Sequence, residues 1–183
     1  MTSKQINMTK YRRVYIPGVS WFFTVNLAER QGNRLLVDKI DCLREAFAYT
    51  RQRYPFLMDA VVILPEHLHC IWTLPEGDGD FSIRWNLLKG RFSKNIEKGE
   101  AVSVSRKARR ERGIWQRRFW EHRLRDQADI NRHIDYIHYN PVKHHWADNV
   151  QDWPHSSFHR YIERGILPGN WGSVVEGDID GGE

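Results

Sequence analysis

The stretch Met58–Leu74, MDAVVILPEHLHCIWTL, decides how the rest of the chain is read. Residues 58–64 are apolar apart from Asp59, Pro65-Glu66 interrupts the run, and His67–Leu74 resumes it. Two apolar runs joined by so short a break predict a β-hairpin. Side chains alternate along a strand, so Leu68, Cys70, Trp72 and Leu74 share a core face while His67 and His69 share the other. The two imidazoles then stand about 6.6 Å apart at the backbone, close enough to converge on one cation. Solvated or hydrogen-bonded histidines are the alternative at this point. Cys70 points away, which argues against a cysteine-containing zinc site here.

Outward from the hairpin, Tyr11–Leu27 reads as two short strands around Pro17-Gly18. Leu36, Ile40, Leu43, Ala46 and Phe47 have helical spacing and predict a helix from Leu35 to about Arg53. A second helix is expected over Ser82–Glu97, an irregular basic connection over Lys98–Gly113, and a strand over Ile114–Leu124. Asp126 is a plausible N-cap for a helix ending at Asn140, because Pro141 disfavours helical geometry in the residue before it. A short helix should cover Ser156–Glu163. This order, with hairpins inside it, implies an α+β fold, a sheet with helices packed on one face.

Within Asp126–His144, DQADINRHIDYIHYNPVKH, steps of 100° place Ile130, Ile134 and Ile137 on one core-facing stripe. Asp129, His133, Tyr136 and Asn140 form a row beside it, with Tyr136 and Asn140 neighbours one turn apart. Tyr139 lies about 60° beyond Tyr136, away from the stripe, and should be the more exposed. Taken alone, a tyrosine flanking an apolar stripe also reads as a packing residue.

The 183 residues are 40 % apolar and 28 % charged, an ordinary balance for one domain, expected over 1–171. The end of the chain, 172–183, has four acids and no base and is expected to be a disordered tail. No run approaches the ~18 apolar residues of a membrane span, and residues 1–10 carry no apolar signal-like stretch, so a cytoplasmic protein is expected. Cys42 and Cys70 cannot build a disulfide framework and are read as reduced thiols. The net charge is +5, but Arg84–Arg125 holds fourteen Lys/Arg against four acids, so that segment is +10 and the remainder −5. Such a concentrated field suits a polyanion partner. Trp85, Phe92, Trp115, Phe119 and Trp120 are interleaved with those charges, either as platforms for unpaired bases or as core residues under a solvated face.

Together, a basic aromatic region, paired histidines and a helical tyrosine supply what phosphodiester cleavage requires: charge neutralisation, a nucleophile and a stabilised leaving oxygen. A phenol, with a pKa of about 10, ionises far more easily than an alcohol, and a covalent phosphotyrosine conserves the bond energy for strand transfer.

His67-Leu68-His69 resembles the HUH motif, a hydrophobic residue between two metal-binding histidines, and Tyr136–Asn140 is similar to the single-tyrosine helix of insertion-sequence transposases of that superfamily. More specifically, WQRRFWEH (Trp115–His122), HIDYIHYNPVKH (His133–His144) and WPHSSFHRY (Trp153–Tyr161) resemble the REP-associated tyrosine transposases, bacterial proteins encoded beside repetitive extragenic palindromes. The likeness runs from about Tyr11 to Trp171. It implies a ferredoxin-like sheet and a Mg²⁺- or Mn²⁺-dependent nuclease that cuts and rejoins single-stranded DNA near a palindromic hairpin. On this resemblance Tyr136 is the nucleophile that forms a 5′-phosphotyrosine, His67 and His69 bind the metal, and Asn140 is the third ligand where related enzymes often carry Gln. Imidazole ligands would hold Mn²⁺ and other transition ions better than Mg²⁺.

Arg84, Lys89, Arg91, Lys94, Arg117, Arg118 and Arg123 would grip the hairpin, and Arg12 and Arg13 would read the short flanking tetranucleotide. No small-molecule cofactor or membrane partner is expected, and the protein would be nucleoid-associated when DNA-bound. Monomer and homodimer both stay open, as does whether Tyr136 serves its own histidines or a partner's. The competing readings are a domesticated, non-cleaving DNA or RNA hairpin-binding protein and a metal hydrolase that uses water.

Overall fold

In a computed structural model of the chain, the described residues are 15–100 and 102–172. They form a four-stranded antiparallel sheet with helices, the α+β class expected. The strands are β1 (Ser20–Asn26), β2 (Leu57–Ile63), β3 (His67–Thr73) and β4 (Trp120–Arg123), in the spatial order β2-β3-β1-β4. The helices are α1 (Leu35–Asp38), α2 (Ile40–Arg53), α3 (Phe81–Lys94), α4 (Val104–Ala108), α5 (Gln127–Lys143) and α6 (Phe158–Glu163). A β-α-β-β-α-β order around two central strands is the ferredoxin-like arrangement.

The hairpin forms where the sequence places it, with Ile63 opposite Leu68 and the Leu64 amide donating to the His67 carbonyl at 2.9 Å. Alternation then sorts the side chains. Trp21, Phe23, Val25, Leu68, Cys70 and Trp72 meet α2 and α3 in the larger core, where Trp72 and Trp85 stack at 4.2 Å. Phe22, Ala60, Val62 and Ile71 face the other way, against Tyr136 and Ile137 of α5. The expected one-sided helix layer is therefore α2 and α3, and α5 lies on the opposite face over β2 and β3. The sheet needs this second cover because its central strand β3 is buried on both faces.

Several element boundaries differ from expectation. The helix read over 35–53 breaks at Lys39 into α1 and α2. The early strand begins at Ser20, after a turn in which Gly18 adopts φ +70° and donates its amide to Pro75. The Tyr11–Val14 part of that reading lies outside the described residues, as does the expected tail beyond Gly172.

Of the strand expected over Ile114–Leu124, Trp120–Arg123 joins the ladder and Trp115 makes an isolated bridge to Leu27. The Trp115 and Gln116 carbonyls are taken by the side chains of Arg106 and Lys89. The basic connection contains a short helix, α4. Asp126 caps α5 as expected, accepting the Asp129 amide at 2.8 Å, but α5 runs through Pro141 to Lys143. Pro141 is itself buried there, so packing outweighs the lost helical hydrogen bond. Among the described residues no helix is long and apolar enough to cross a membrane.

Candidate metal centre and nucleic-acid interface

Cross-strand register assembles the site. Thr24 of β1 lies directly opposite His69 of β3, and its hydroxyl meets His69 Nδ1 at 2.9 Å. One pleat away, His67 Nδ1 meets the Glu66 carboxylate at 3.0 Å, and Glu66 is itself 3.4 Å from Arg30. Each imidazole is thus tied down through one nitrogen. The other, Nε2 in both rings, is buried with no hydrogen-bond partner. The rings stand edge to face, 4.9 Å between centroids. A histidine oriented through one nitrogen by a carboxylate or hydroxyl, with the second nitrogen free, is the usual preparation for a metal ligand.

Electrostatics agree. Burial, then the neighbouring His67, His144, Lys143 and Arg30, holds the His69 pKa well below the usual imidazole range, so His69 is neutral with a lone pair to give. Burial alone would raise Glu66, but the bond and charge of His67, with Arg30, outweigh it and bring the carboxyl down to about 2. Glu66 is therefore ionised at any ordinary pH.

From α5, Tyr136 brings its ring edge-on to His69, 5.2 Å between centroids, and packs against Phe22. Tyr136 is 2 % exposed, whereas Tyr139 is half-buried, in the order expected from the helical wheel. One turn on, Asn140 is fully buried and neither polar atom of its amide has a hydrogen-bond partner. Leaving such groups unsatisfied costs about 1–3 kcal/mol each, and a cation would offset that of the amide oxygen. Lys143, two turns from Tyr136, places its ammonium 5.0 Å from the phenol ring centroid. His144 lies 5.3 Å from His67, ring to ring. As donor types, two imidazole nitrogens and an amide oxygen suit a divalent cation, transition ions better than Mg²⁺.

A second cluster was not anticipated. Ligand atoms of His122, Asp129 and His133 all lie within 4.8 Å of one another. His122 Nε2 is 3.2 Å from the Asp129 carboxylate, which also accepts the Arg125 amide, while His133 Nδ1 is 2.8 Å from the Asp129 carbonyl. The two rings are stacked 16° from parallel, so their in-plane lone pairs do not meet at one point, and a shared cation would require a ring to turn. As it stands the group is a hydrogen-bonded brace between β4 and α5. Glu66, Thr24 and this brace escaped sequence reasoning, since their partners are set by register and by α5 docking; only Glu66, adjacent to His67, left a local signal.

The cationic residues divide. Arg84 cannot meet a phosphate: it is fully buried, and its guanidinium is spent on the Asp80 and Pro55 carbonyls and the Asp78 carboxylate. Arg91 is engaged by Glu45 and lies 4.7 Å from the Tyr49 ring. Lys89, Lys94 and Arg117 line a cleft of roughly 600 Å³ with Arg106, Arg109 and Arg110, although Arg117 also pairs with Glu111. Arg118 and Arg123 are exposed, and Arg12 and Arg13 lie outside the described residues. Of the interleaved aromatics, Trp85, Phe92 and Trp115 are core, Phe119 is partly buried against it, and Trp120 is 42 % exposed.

A ferredoxin-like sheet that sets paired imidazoles against a tyrosine from a late helix defines the class of single-tyrosine, transposase-like proteins. No protein-family model matches the chain. It is, however, 47 % identical over 176 residues to the REP-associated tyrosine transposase of Escherichia coli (strain K12), covering 96 % of this chain and 98 % of that one. A Haemophilus influenzae relative named for the same family is 44 % identical over 177 residues, 94 % of this chain and all of that one. Among solved structures, a REP-associated tyrosine transposase bound to a REP hairpin is 46 % identical and superposes with a TM-score of 0.78 over 94 % of each chain. This chain belongs to the REP-associated tyrosine transposases.

Proposed function

We propose that the protein is a metal-dependent single-strand DNA endonuclease and strand transferase acting at REP-type palindromic hairpins. The observation that carries this reading is the approach of Tyr136 to His69, beside two imidazole nitrogens that are buried and unsatisfied. The relative solved with a REP hairpin supports the substrate class.

In this reading His67, His69 and Asn140 are the residues that would hold the cation. A bound divalent cation would neutralise charge on the scissile phosphate and on the departing oxygen. The Tyr136 hydroxyl gives up its proton and attacks phosphorus; the P–O3′ bond breaks and the 3′-oxygen takes up a proton. A 5′-phosphotyrosine and a free 3′-hydroxyl remain, and the reverse attack by a 3′-hydroxyl rejoins a strand. Glu66 and Thr24 hold the two imidazoles in position. Lys143 adds a positive charge over the phenol, where negative charge develops. The approach of Tyr136 to His69 within one chain supports a site that works in cis.

The near-complete burial of Tyr136 favours a second reading, a hairpin-binding protein that does not cleave. One experiment separates them. A radiolabelled oligonucleotide carrying the REP hairpin and its flank is incubated with Mn²⁺ and run on a denaturing gel. A covalent adduct that vanishes in Tyr136→Phe supports the nuclease. Tight binding with no adduct at any metal concentration supports the binder, and turnover insensitive to Tyr136→Phe would mean hydrolysis by water.

A further inference from the structure

On the face of the sheet that carries His69, α5 packs over β2 and β3 and reaches β1 and β4 through Phe22 and His122, while Trp120 at the β4 edge stays 42 % exposed. On that face, Trp120 of β4 pairs with Thr24 of β1, which pairs with His69 of β3. Trp120, Thr24 and His69 therefore form one row across three strands, with side chains on the same face. Two strand spacings put Trp120 about 10 Å from His69 at the backbone, the span of about three stacked nucleotides.

Trp120 is held in place from below. It stacks on His122 at 5.8 Å and 8°, His122 stacks on His133 at 5.0 Å, and Phe22 meets the indole edge-on at 5.7 Å. His122 is in turn fixed by Asp129, whose carboxylate also accepts the Arg125 amide. Phe22 continues the aromatic layer to His69 and Tyr136. An indole braced this firmly yet 42 % exposed, inside a segment of net charge +10, is suited to a flat, anionic-backboned partner.

From this we infer that Trp120 is a stacking platform for one unpaired nucleotide adjoining the scissile phosphate, holding the single strand at the β4 edge of the sheet so that the phosphate reaches His69 and Tyr136. The inference rests on the proposed nuclease reading for the position of the phosphate, but not for the stacking itself. Base–aromatic stacking tolerates any base, so Trp120 positions the strand while sequence is read elsewhere.

The test uses the full chain in EDTA, where no cleavage occurs, and a REP hairpin with its single-stranded flank bearing 2-aminopurine at one flank position at a time. Quenching at one position within three nucleotides of the cleavage point is expected, lost in Trp120→Ala and kept in Trp120→Phe. Affinity for the flanked hairpin should fall about tenfold in Trp120→Ala. Affinity for the stem alone should be unchanged, which also reports that the variant is folded. The inference is overturned if no flank position is quenched by the unaltered chain, if Trp120→Ala binds the flanked hairpin as tightly, or if stem-only affinity falls in parallel. Stacking at Trp120 in a chain that forms no tyrosine adduct would sink the nuclease and support the platform.

Discussion

The Tyr136 ring meets the His69 ring edge-on, 5.2 Å between centroids and 75° between planes, across the junction of α5 and β3. Both residues belong to the same chain, and this fixes how the site can be tested.

If the site is assembled in cis, mixing a His67→Ala/His69→Ala chain with a Tyr136→Phe chain restores no adduct, because neither chain carries a complete set. The denaturing gel described above reads this directly. Adduct at a quarter or more of the unaltered level in the mixture would mean that chains exchange α5.

Glu66 orients His67 and has no reason to touch substrate. Glu66→Ala is expected to weaken Mn²⁺ binding by about 10- to 100-fold, the usual cost of removing a carboxylate behind a metal-bound histidine. Calorimetric titration of Mn²⁺ into the protein without DNA measures it. Unchanged affinity would remove His67 from the ligand set.

Arg84 and Lys94 lie on the same helix but should behave oppositely. Arg84→Ala removes a buried guanidinium that bonds three groups and is expected to cost about 2–4 kcal/mol of stability in urea melts. Lys94→Ala, in the cleft, should leave stability unchanged. It should instead reduce the slope of log affinity against log salt for the hairpin by about 1.

Acid should loosen the fold through its buried histidines. Burial, then Arg160 and His159, holds the His138 pKa down to about 3 from the ordinary 6.5, while its Nε2 meets Ser157 at 3.0 Å. Below pH 6.5 the unfolded chain takes up a proton that the folded chain refuses. This residue's contribution is therefore intact above 6.5 and declines by about 1.4 kcal/mol per pH unit toward pH 3. Urea midpoints between pH 7 and 5 should drop accordingly, and His138→Gln should shrink the slope, leaving what His69, His133 and His155 contribute. An unchanged slope would show that His138 protonates within the fold.

Local pattern made the hairpin, the core faces of β3 and the Asp126 cap legible, because alternation, 100° steps and capping act over a few residues. The same steps placed Tyr136 and Asn140 side by side and Tyr139 outward. They did not place α5 on the far face of the sheet, and Pro141 suggested an end at Asn140 where packing carries the helix on. A run of like charges also hid its own division: Arg84 is internal and Trp120 external, although both belong to the same basic, aromatic segment.

The amino-acid order by itself determined which residues could carry chemistry, the two histidines on one pleat and the tyrosine with its amide on one helical row, since both periodicities are properties of the local backbone. Only the tertiary structure decided that Thr24 and Glu66 secure those imidazoles, that Tyr136 arrives beside His69, and that Trp120 shares their row. Apart from Glu66, which adjoins His67, those relationships join residues from 45 to 96 positions apart, through cross-strand register and helix docking, which no local period encodes.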